Sequence, residues 1–228
     1  MNQVIILCGG KGTRLKSSIP KSLVKIKGKP ILTQIITNCV KNKFKLITLK
    51  TGFKHKLLKS TYQYGQLYNC KIDYKRDTKI LGTAGGLDYL SYLVDPVFIL
   101  YGDVLNNVNM QDMLRYHTAH KADVTIAVHP SSHPEDSDVL VVNRKNQVTK
   151  VVHKPRVKKY GRLTNAAMYI INPSVFKLVP GSSKYDFGRD LVPLLLKKQY
   201  SVIAYPVTEK QLYDIGTPER LAKARQKR

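Results

Sequence analysis

The sequence predicts an α/β fold built on a mostly parallel sheet with helices on both faces. Two unbroken apolar runs of strand length, Val4–Cys8 and Val97–Tyr101, each end at a glycine. An apolar run without alternation is typical of a strand that is buried on both faces, as strands of parallel sheets are. Strand and helix patterns then alternate over residues 1–128, and this order favours parallel strands joined by helical crossovers.

The elements of this first part follow one another in a regular order. Pro30 can begin a helix, because proline at the first helical position needs no N–H partner. The apolar face of that helix recurs at helical spacing and consists of Ile31, Ile35, Ile36 and Val40. We then expect a strand over 44–51, a short helix near 54–59, a strand around 70–74, a helix that follows 82–86 and runs to about 92, a helix near 110–120 and a strand over 124–128.

The pattern becomes less regular after His129. Residues 130–138 have the prolines and polar residues of a loop, and a hairpin is predicted around Arg144-Lys145-Asn146. The elements expected here are paired strands over 139–143 and 148–152, a strand over 165–171, helices over 173–179 and 187–198, and a strand over 201–205. Thr217 and Pro218 begin the last helix as N-cap and first residue. No linker interrupts the chain, so we expect one domain over residues 1–228.

The composition excludes several classes of protein. Of the 228 residues, 43% are hydrophobic, which is enough for a substantial core. No apolar run approaches the roughly 20 residues that a membrane helix needs, and the N-terminus lacks the charged start of a secretory signal. Cys8, Cys39 and Cys70 cannot all pair, and no Cys/His spacing is typical of zinc. We therefore expect a reduced, cytoplasmic chain without membrane insertion, and neither a disulfide scaffold nor a zinc module.

The distribution of charge is unusual. The formal net charge is +24, and residues 1–72 contain fifteen Lys or Arg and no carboxylate before Asp73. Such asymmetry indicates a basic surface that faces phosphates, with nucleic acid, anionic lipid and small phosphorylated substrates as candidates. The alternative is a lysine-rich solvated surface without a specific partner. The scattered tyrosines and the absence of tryptophan argue against a stacking platform for single-stranded nucleic acid.

A glycine-rich turn, Leu7–Leu15, is the strongest local signal. Its glycines directly follow a predicted buried strand and allow backbone N–H groups to approach a phosphate closely. The turn lacks the Gly-Lys-Ser/Thr of a P-loop, and Leu15 stands where a dinucleotide fingerprint has its third glycine. A tight connection without a ligand is the alternative interpretation.

The chain resembles the sugar-1-phosphate nucleotidylyltransferases, also called NDP-sugar pyrophosphorylases. The segments that carry the resemblance are Gly9–Leu15, Ile19–Leu23, Lys29–Leu32, Leu81–Gly86, Tyr101–Asp103, Lys154–Pro155, Asn165–Tyr169 and Tyr213–Pro218. They span nearly the whole chain in the order of the family. The length is similar to that of the short, single-domain heptose and mannose 1-phosphate guanylyltransferases. This resemblance implies a Rossmann-like fold of the nucleotide-diphospho-sugar transferase type, with a nucleotide-binding part at about 1–128 and a sugar-binding part at about 129–228.

The resemblance also implies a reaction. A nucleoside monophosphate passes from a nucleoside triphosphate to a sugar 1-phosphate, and the products are an NDP-sugar and pyrophosphate. The overall likeness favours GTP and a heptose or hexose 1-phosphate. A phosphate oxygen attacks the α-phosphorus in line with Mg²⁺ assistance, so the protein must supply cations and positioning. A basic region around a glycine turn suits that task.

Matching positions imply the roles of individual residues. Arg14 and Lys21 are the expected catalytic cations, and Lys154 and Asn165 are expected to bind the sugar phosphate and the sugar. Asp103 and Asp214 are the expected Mg²⁺ ligands, although Asp103 after Gly102 also suits a turn or a cap. The expected nucleotide-binding residues are Leu7, Gly9, Gly10, Gly12, Thr13, Gly82 and Thr83, and Thr83 also suits the cap of a helix.

Two departures concern the sugar, and several functions stay open. His153 stands where the family often has Glu, and Ala166 stands where it usually has Gly. The alternatives are transfer to another phosphorylated alcohol such as phosphocholine, a non-catalytic regulator that binds nucleotide sugars, and a nucleic-acid-binding protein. The expected partners are a nucleoside triphosphate and a sugar 1-phosphate, with no specific nucleic acid. The oligomeric state is open, with a homodimer among the alternatives.

Overall fold

The computed structural model describes residues 3–10, 12, 19–155, 158–208, 211–215 and 217–226. The strands in chain order are β1 Gln3–Cys8, β2 Lys25–Ile26, β3 Lys29–Pro30, β4 Leu46–Thr51, β5 Lys71–Arg76, β6 Val97–Tyr101, β7 Val104–Asn106, β8 Val124–Pro130, β9 Asp138–Val142, β10 Val148–His153, β11 Leu163–Ile171, β12 Val202–Pro206 and β13 Leu212–Asp214. The α-helices are α1 Ile31–Lys41, α2 His55–Tyr62, α3 Met110–Ala119, α4 Val192–Lys197 and α5 Pro218–Gln226. Short 3₁₀ helices cover Lys21–Leu23, Gln66–Tyr68, Asp88–Tyr92, Pro134–Asp136, Lys158–Tyr160 and Pro173–Leu178, and Phe187–Leu191 forms a π-helical turn.

The order of the predicted elements is confirmed, but three predicted helices differ from the structure. The helix expected after 82–86 is a 3₁₀ helix at Asp88–Tyr92, and the helix expected over 173–179 is a 3₁₀ helix at Pro173–Leu178. The glycine segment before the first of them forms a turn, in which Gly82 and Gly86 have φ angles of 76° and 71°. Residues 187–198 divide into a π-helical turn and α4. Pro193 has no N–H to give to the carbonyl one turn earlier, so a continuous α-helix is interrupted there.

The chain divides into two compact units that alternate along the sequence. The first unit comprises Met1–Ile80, Ile99–Met110 and Lys210–Arg228, and the second comprises Leu81–Phe98 and Gln111–Glu209. The predicted division into a nucleotide-binding part up to about residue 128 and a sugar-binding part after it stays a prediction about function.

The first unit contains the parallel part of the fold. Strand β4 lies between β1 and β5 and is parallel to both, with Cys8 opposite Thr51 at the carboxyl ends. Helix α1 buries Ile31, Leu32, Ile35, Ile36 and Cys39, which are zero to 1% exposed. The predicted face is therefore confirmed except that Cys39 replaces the half-buried Val40. The antiparallel pairs β2–β3 and β7–β13 complete this unit, and their short strands carry no periodicity that sequence analysis could detect.

The second unit combines parallel and antiparallel pairs. Strand β8 is antiparallel to β11 and parallel to β12, and β9 forms the predicted hairpin with β10. The β11 ladder shifts register between Asn165 and Tyr169, where Ala167 has a φ of 56°. The two units together confirm the α/β fold class and make the sheet content mixed.

A buried histidine network stabilises the second unit. His117 on α3 is 2% exposed; its Nδ1 lies 2.8 Å from the hydroxyl of Thr125, and its Nε2 lies 3.1 Å from Oδ1 of Asn172. Burial lowers the pKa of His117 because a charged imidazolium loses hydration there. This side chain therefore holds α3 to β8 in its neutral form.

Among the described residues, no helix is both long and apolar enough to cross a membrane.

Candidate active site

The glycine turn begins at the carboxyl end of β1 and is packed against the end of β4. The carbonyl of Gly9 accepts a hydrogen bond from the N–H of Phe53 at 3.3 Å. A Cβ added to Gly52 would lie 2.9 Å from that same carbonyl oxygen. Only a glycine at position 52 allows the two chains to approach so closely. The start of the turn is thus held by the backbone of the neighbouring strand.

Gly12 contacts the stem of Lys21. Its φ is 66°, which is the left-handed region, and a Cβ there would lie 2.8 Å from Cγ of Lys21. Both the backbone angle and the contact favour glycine at this position. The predicted residues Thr13 and Arg14 lie outside the described residues, so their roles stay predictions.

Lys21 and Asp103 form an ion pair although 82 positions separate them in the chain. The Nζ of Lys21 lies 3.1 Å from Oδ2 of Asp103, and the two side chains are 14% and 29% exposed. The N–H of Gly102 donates to the carbonyl of Leu7 at 3.0 Å. This bond places Asp103 beside the end of β1, as expected for a residue that follows a parallel strand.

The thiol of Cys8 lies beneath this pair and is chemically inert at neutral pH. A Cβ on Gly102 would lie 2.7 Å from the Cys8 sulfur, so glycine is needed for this packing as well. Burial, and secondarily the charge of Asp103, raise the pKa of Cys8 to about 12. Because the thiolate is the nucleophilic form, Cys8 has a packing role.

Asp214 lies on the strand that pairs with the segment after Asp103. Strand β13 pairs with β7 so that Asp214 is opposite Val104, and the N–H of Ile215 donates to the carbonyl of Asp103 at 3.3 Å. The two predicted metal ligands are therefore neighbours along adjacent backbone segments. Oδ2 of Asp214 lies 2.5 Å from Nη1 of Arg220 on α5.

These two carboxylates fit a Mg²⁺ site that substrate completes. They are partly exposed, at 29% and 41%, and each is neutralised by a basic side chain. Within the part of the chain that the structure describes, no group of three His, Cys, Asp or Glu side chains could hold a metal ion. Mg²⁺ commonly binds one or two carboxylates together with water and substrate phosphates, so two aspartates are a suitable donor set.

The same sheet edge carries a buried ion pair that sequence analysis missed. Lys50 is only 3% exposed at the end of β4, and its Nζ contacts Oδ2 of Asp77. The strand pattern gave no signal for it, because a lysine inside a strand is normally read as a solvent-facing position.

In the second unit, Gly82 and Thr83 lie against residues 185–187. Gly82 would place a Cβ 2.6 Å from the carbonyl oxygen of Tyr185. The N–H and the hydroxyl of Thr83 both donate to Oδ1 of Asp186, at 3.0 and 3.2 Å. The Thr83 hydroxyl also accepts from the N–H of Phe187 at 3.0 Å. Thr83 therefore caps the π-helical turn at Phe187, whereas the sequence had suggested a cap for the segment that follows Thr83 itself.

Asn165 stabilises the irregularity in β11. Its Oδ1 accepts from the N–H of Ala167 at 2.9 Å, and its Nδ2 donates to the hydroxyl of Tyr169. These bonds explain how Ala167 tolerates a positive φ. The structure thus gives Asn165 a conformational role beside its predicted contact with the sugar.

Lys154 follows a cross-strand pair of polar side chains. It has a φ of 42°, its side chain is exposed, and its N–H donates to the carbonyl of Ser137 at 3.2 Å. The preceding His153 lies opposite Asp138, with Nδ1 2.6 Å from Oδ1. Sequence analysis missed Asp138, although the register of the predicted hairpin would have placed residue 138 opposite 153.

Comparison with known proteins gives matches over almost the whole chain. A family model described as nucleotidyl transferase matches residues 3–228. The sequence is 30% identical over 229 residues to the D-glycero-α-D-manno-heptose 1-phosphate guanylyltransferase of Aneurinibacillus thermoaerophilus, with 97% of this chain and 96% of that protein covered. It is 32% identical over 212 residues to the mannose-1-phosphate guanyltransferase of Pichia angusta, with 86% of this chain and 57% of that protein covered.

Solved structures support the fold. The crystal structure of HddC from Yersinia pseudotuberculosis has a TM-score of 0.84 at 24% identity, and the alignment covers 99% of both chains. The same protein complexed with GMP-PN has a TM-score of 0.81 at 25% identity, again with 99% of both chains covered. The described architecture is therefore similar to that of HddC over almost the whole chain.

Proposed function

The chain belongs to the nucleotidyl transferase family, and on this premise we propose that it transfers GMP from GTP to a sugar 1-phosphate, forming a GDP-sugar and pyrophosphate. The observation that carries the proposal is the Lys21–Asp103 pair beside the glycine turn. The choice of GTP is supported by the heptose guanylyltransferase, which this chain matches over 96% of that protein's length. A heptose or hexose 1-phosphate is the corresponding acceptor.

The main requirement of this reaction is positive charge supplied by the protein. The sugar 1-phosphate is already ionised at neutral pH, so its oxygen needs no general base. That oxygen forms a bond to the α-phosphorus while the bond from the α-phosphorus to the bridging oxygen breaks, and pyrophosphate leaves with the electron pair. Both reactants are polyanions, so the barrier falls when fixed cations offset their repulsion. The proposed catalytic residues are accordingly Lys21 and Arg14.

Lys21 is held in a manner that suits this role. Its stem packs against Gly12, and its ammonium group is bound to Asp103. When a triphosphate binds, we expect the ammonium group to move from the carboxylate to a phosphate oxygen. The ion pair thus keeps the charged end of Lys21 near its place of action before substrate arrives, which lowers the entropy lost in the reaction.

Asp103 and Asp214 are the proposed ligands of Mg²⁺. Bound there, the ion would neutralise phosphate charge that the basic side chains leave uncompensated. Lys21 and Arg220 pair with these carboxylates and hold both of them in place.

The nucleotide and the sugar phosphate are assigned to the remaining residues. Leu7, the glycine turn with Thr13, and the Gly82-Thr83 segment are proposed to contact the nucleotide. Lys154 is proposed to bind the sugar phosphate, and its exposed side chain supports this. Asn165 has one amide hydrogen beyond the one donated to Tyr169, and we assign that hydrogen to a sugar hydroxyl.

Location and assembly complete the proposal. A cytoplasmic enzyme fits both the substrates and the three cysteines, which are all free thiols. A homodimer remains the proposed alternative to a monomer, and light scattering at several concentrations would decide between them.

The experiment is a matrix of acceptors and donors with pyrophosphate release as the readout. Heptose, mannose, glucose and N-acetylglucosamine 1-phosphates are tested against GTP, ATP, UTP, CTP and dTTP, with phosphocholine as an acceptor from another class. We expect the highest kcat/KM with GTP and a heptose or hexose 1-phosphate. Release with phosphocholine alone would support the other acceptor class. Nucleotide binding without release from any pair would support a regulator and overturn the proposal.

A further inference from the structure

A turn and a distant segment of the second unit are joined by a set of backbone hydrogen bonds. The N–H groups of Ala84 and Gly85 donate to the carbonyl of Tyr185 at 2.9 and 3.0 Å. In return, the N–H of Tyr185 donates to the carbonyl of Leu81 at 2.9 Å. About 100 positions of sequence separate the two sides, so their approach is a property of the tertiary fold.

Asp186 adds side-chain bonds to this contact. One of its carboxylate oxygens, Oδ1, accepts both the N–H and the hydroxyl hydrogen of Thr83. The other, Oδ2, lies 3.2 Å from Nη2 of Arg189. The carboxylate therefore bridges the turn and the basic side chain that follows it in the π-helical segment. Hydrogen bonds to an ionised acceptor are among the stronger ones in proteins.

The hydroxyl of Thr83 is engaged as donor and as acceptor within the protein. Its only hydrogen is directed to Asp186, and its oxygen accepts from the N–H of Phe187 at 3.0 Å. A hydroxyl has one hydrogen to donate, so Thr83 has none to offer a nucleotide. In the proposed function, this part of the turn would contact the nucleotide through Gly82 and the backbone, while the threonine side chain is bound to Asp186 and Phe187.

The acid that follows supports Asp186 in turn. Oδ2 of Asp190 accepts from the N–H of Asp186 at 2.8 Å, and Arg189 donates to Asp190 at 3.1 and 3.2 Å. Burial by itself would raise the pKa of Asp190, but the hydrogen bonds from Arg189 and Asp186 lower it. The carboxylate of Asp190 consequently stays ionised at neutral pH.

Gly82 shows how closely the carboxylate approaches the turn. A Cβ at this position would lie 2.8 Å from Oδ1 of Asp186 as well as 2.6 Å from the carbonyl of Tyr185. Sequence analysis assigned this glycine to the binding of the nucleotide. The structure adds a second reason for glycine here, because a Cβ would collide with the Asp186 carboxylate.

We propose that Asp186 is a positioning residue, which fixes the 81–86 turn through Thr83 and thereby sets the affinity of the enzyme for the nucleoside triphosphate. This inference rests on the proposed function, because the nucleotide-binding role of the turn is part of it. A free 81–86 turn would have to be ordered when the nucleotide binds, and that entropy would be lost from the binding free energy. Asp186 itself does not touch the reacting phosphates.

The test compares Asp186→Ala and Thr83→Val with wild type and with Asp112→Ala. Asp112 is an exposed aspartate of the same unit that pairs with Arg115 on α3, so its removal controls for the loss of a surface carboxylate. We expect the KM and the directly measured Kd for GTP to rise about tenfold in both Asp186→Ala and Thr83→Val. In Asp186→Ala, the KM for the sugar 1-phosphate and kcat at saturating GTP should stay close to wild type. Thr83→Ser keeps the hydroxyl, so its affinity for GTP should be much closer to wild type than that of Thr83→Val.

Hydrogen exchange supplies a readout that does not depend on activity. The amides of Thr83 and Phe187 should exchange faster in Asp186→Ala and in Thr83→Val respectively, because each loses its acceptor. Unchanged GTP affinity in an active enzyme with these faster amides would overturn the proposal, and so would equal losses for both substrates. If the wild type released no pyrophosphate from any pair, the proposed function would fail. The Kd for GTP would then still test the positioning role of Asp186. Absence of GTP binding to the wild type would overturn both that role and the proposed function.

Discussion

Lys21 and Asp103 face each other at 3.1 Å at the carboxyl end of β1, one from the 3₁₀ helix after the glycine turn and the other from the end of β6. The pair joins one of the two cations and one of the two acids that sequence analysis had assigned to the reaction. It explains how a flexible lysine stays close to where phosphates are expected before they bind. A substitution of either residue therefore removes the ion-pair partner of the other.

Replacing Lys21 by alanine should remove most of the turnover. The variant loses a cation that offsets charge on the reacting phosphates, and kcat/KM should fall by about 10²- to 10³-fold. Lys71→Ala is the matched control, because Lys71 is 68% exposed and lies 3.8 Å from Asp73 on β5. Steady-state kinetics with GTP and the preferred sugar phosphate measure the effect. A Lys21→Ala enzyme as active as the Lys71 control would remove Lys21 from the mechanism.

Activity should depend on Mg²⁺ through Asp103. EDTA should abolish pyrophosphate release and added Mg²⁺ should restore it. Asp103→Asn preserves the shape of the side chain but removes its charge, so the concentration of Mg²⁺ needed for half-maximal activity should rise about tenfold or more. A Mg²⁺ titration of the two proteins tests this. Identical titration curves would mean that Asp103 serves the turn after β6 and the Lys21 ion pair alone.

Gly12→Ala should lower kcat, whereas its loss of stability should match that of a control glycine variant. Alanine at a φ of 66° costs about 1–2 kcal/mol of folding free energy, and its Cβ would displace the Lys21 stem at 2.8 Å. Gly28→Ala is the control, since Gly28 has a φ of 77° with no atom within 4 Å of an added Cβ. Urea unfolding should give similar losses for the two variants. Only Gly12→Ala should lower kcat, and equal kcat values would refute the contact with Lys21.

His117 should make the protein less stable in mild acid. Its pKa is lowered by burial in the folded state, whereas the unfolded chain takes up the proton near pH 6.5. The unfolded state therefore binds more protons below that pH, and the free energy of unfolding falls as the pH drops from about 7 toward 5. His117→Gln should be less stable at pH 7.5 but should lose less between pH 7.5 and 5.5 than wild type. His120→Gln, at an exposed site directly after α3, is the control. Parallel stability curves for wild type and His117→Gln would contradict the burial argument.

The basic character of residues 1–72 should serve small polyanions. Attraction to duplex DNA is expected at low salt from the net charge alone and should be lost at about 150 mM salt. Fluorescence anisotropy with a labelled duplex, with and without saturating GTP, makes the measurement. Micromolar duplex affinity at the higher salt, unchanged by GTP, would favour the nucleic-acid alternative.

The local features of the site were predictable from the sequence. A buried strand followed by glycines predicts a turn at the edge of a parallel sheet, and Asp103 after the second apolar run predicts an acid at the same edge. The cap at Thr217 was also predictable, and its hydroxyl accepts from the N–H of Arg220 at 3.3 Å. These features depend on residues close together in the chain, whose spacing carries the information.

Residues whose partners lie far along the chain were not predictable in this way. Sequence analysis assigned no role to Asp186 or to Lys50. Their importance comes from Thr83 and Asp77, which the fold brings to them. No periodicity within one element reports such a partner, because periodicity reflects only which face of that element is buried.

The sequence by itself therefore determined the α/β class, the order of strands and helices, the family, and the residue types that the chemistry requires. The tertiary structure alone decided three contacts. Lys21 forms an ion pair with Asp103, Gly12 packs against the Lys21 stem, and Asp186 accepts a hydrogen bond from the Thr83 hydroxyl. The physical reason is that secondary structure follows from local backbone and side-chain preferences. The contacts that position charge come from packing between segments up to about 100 residues apart, and packing depends on the whole chain at once.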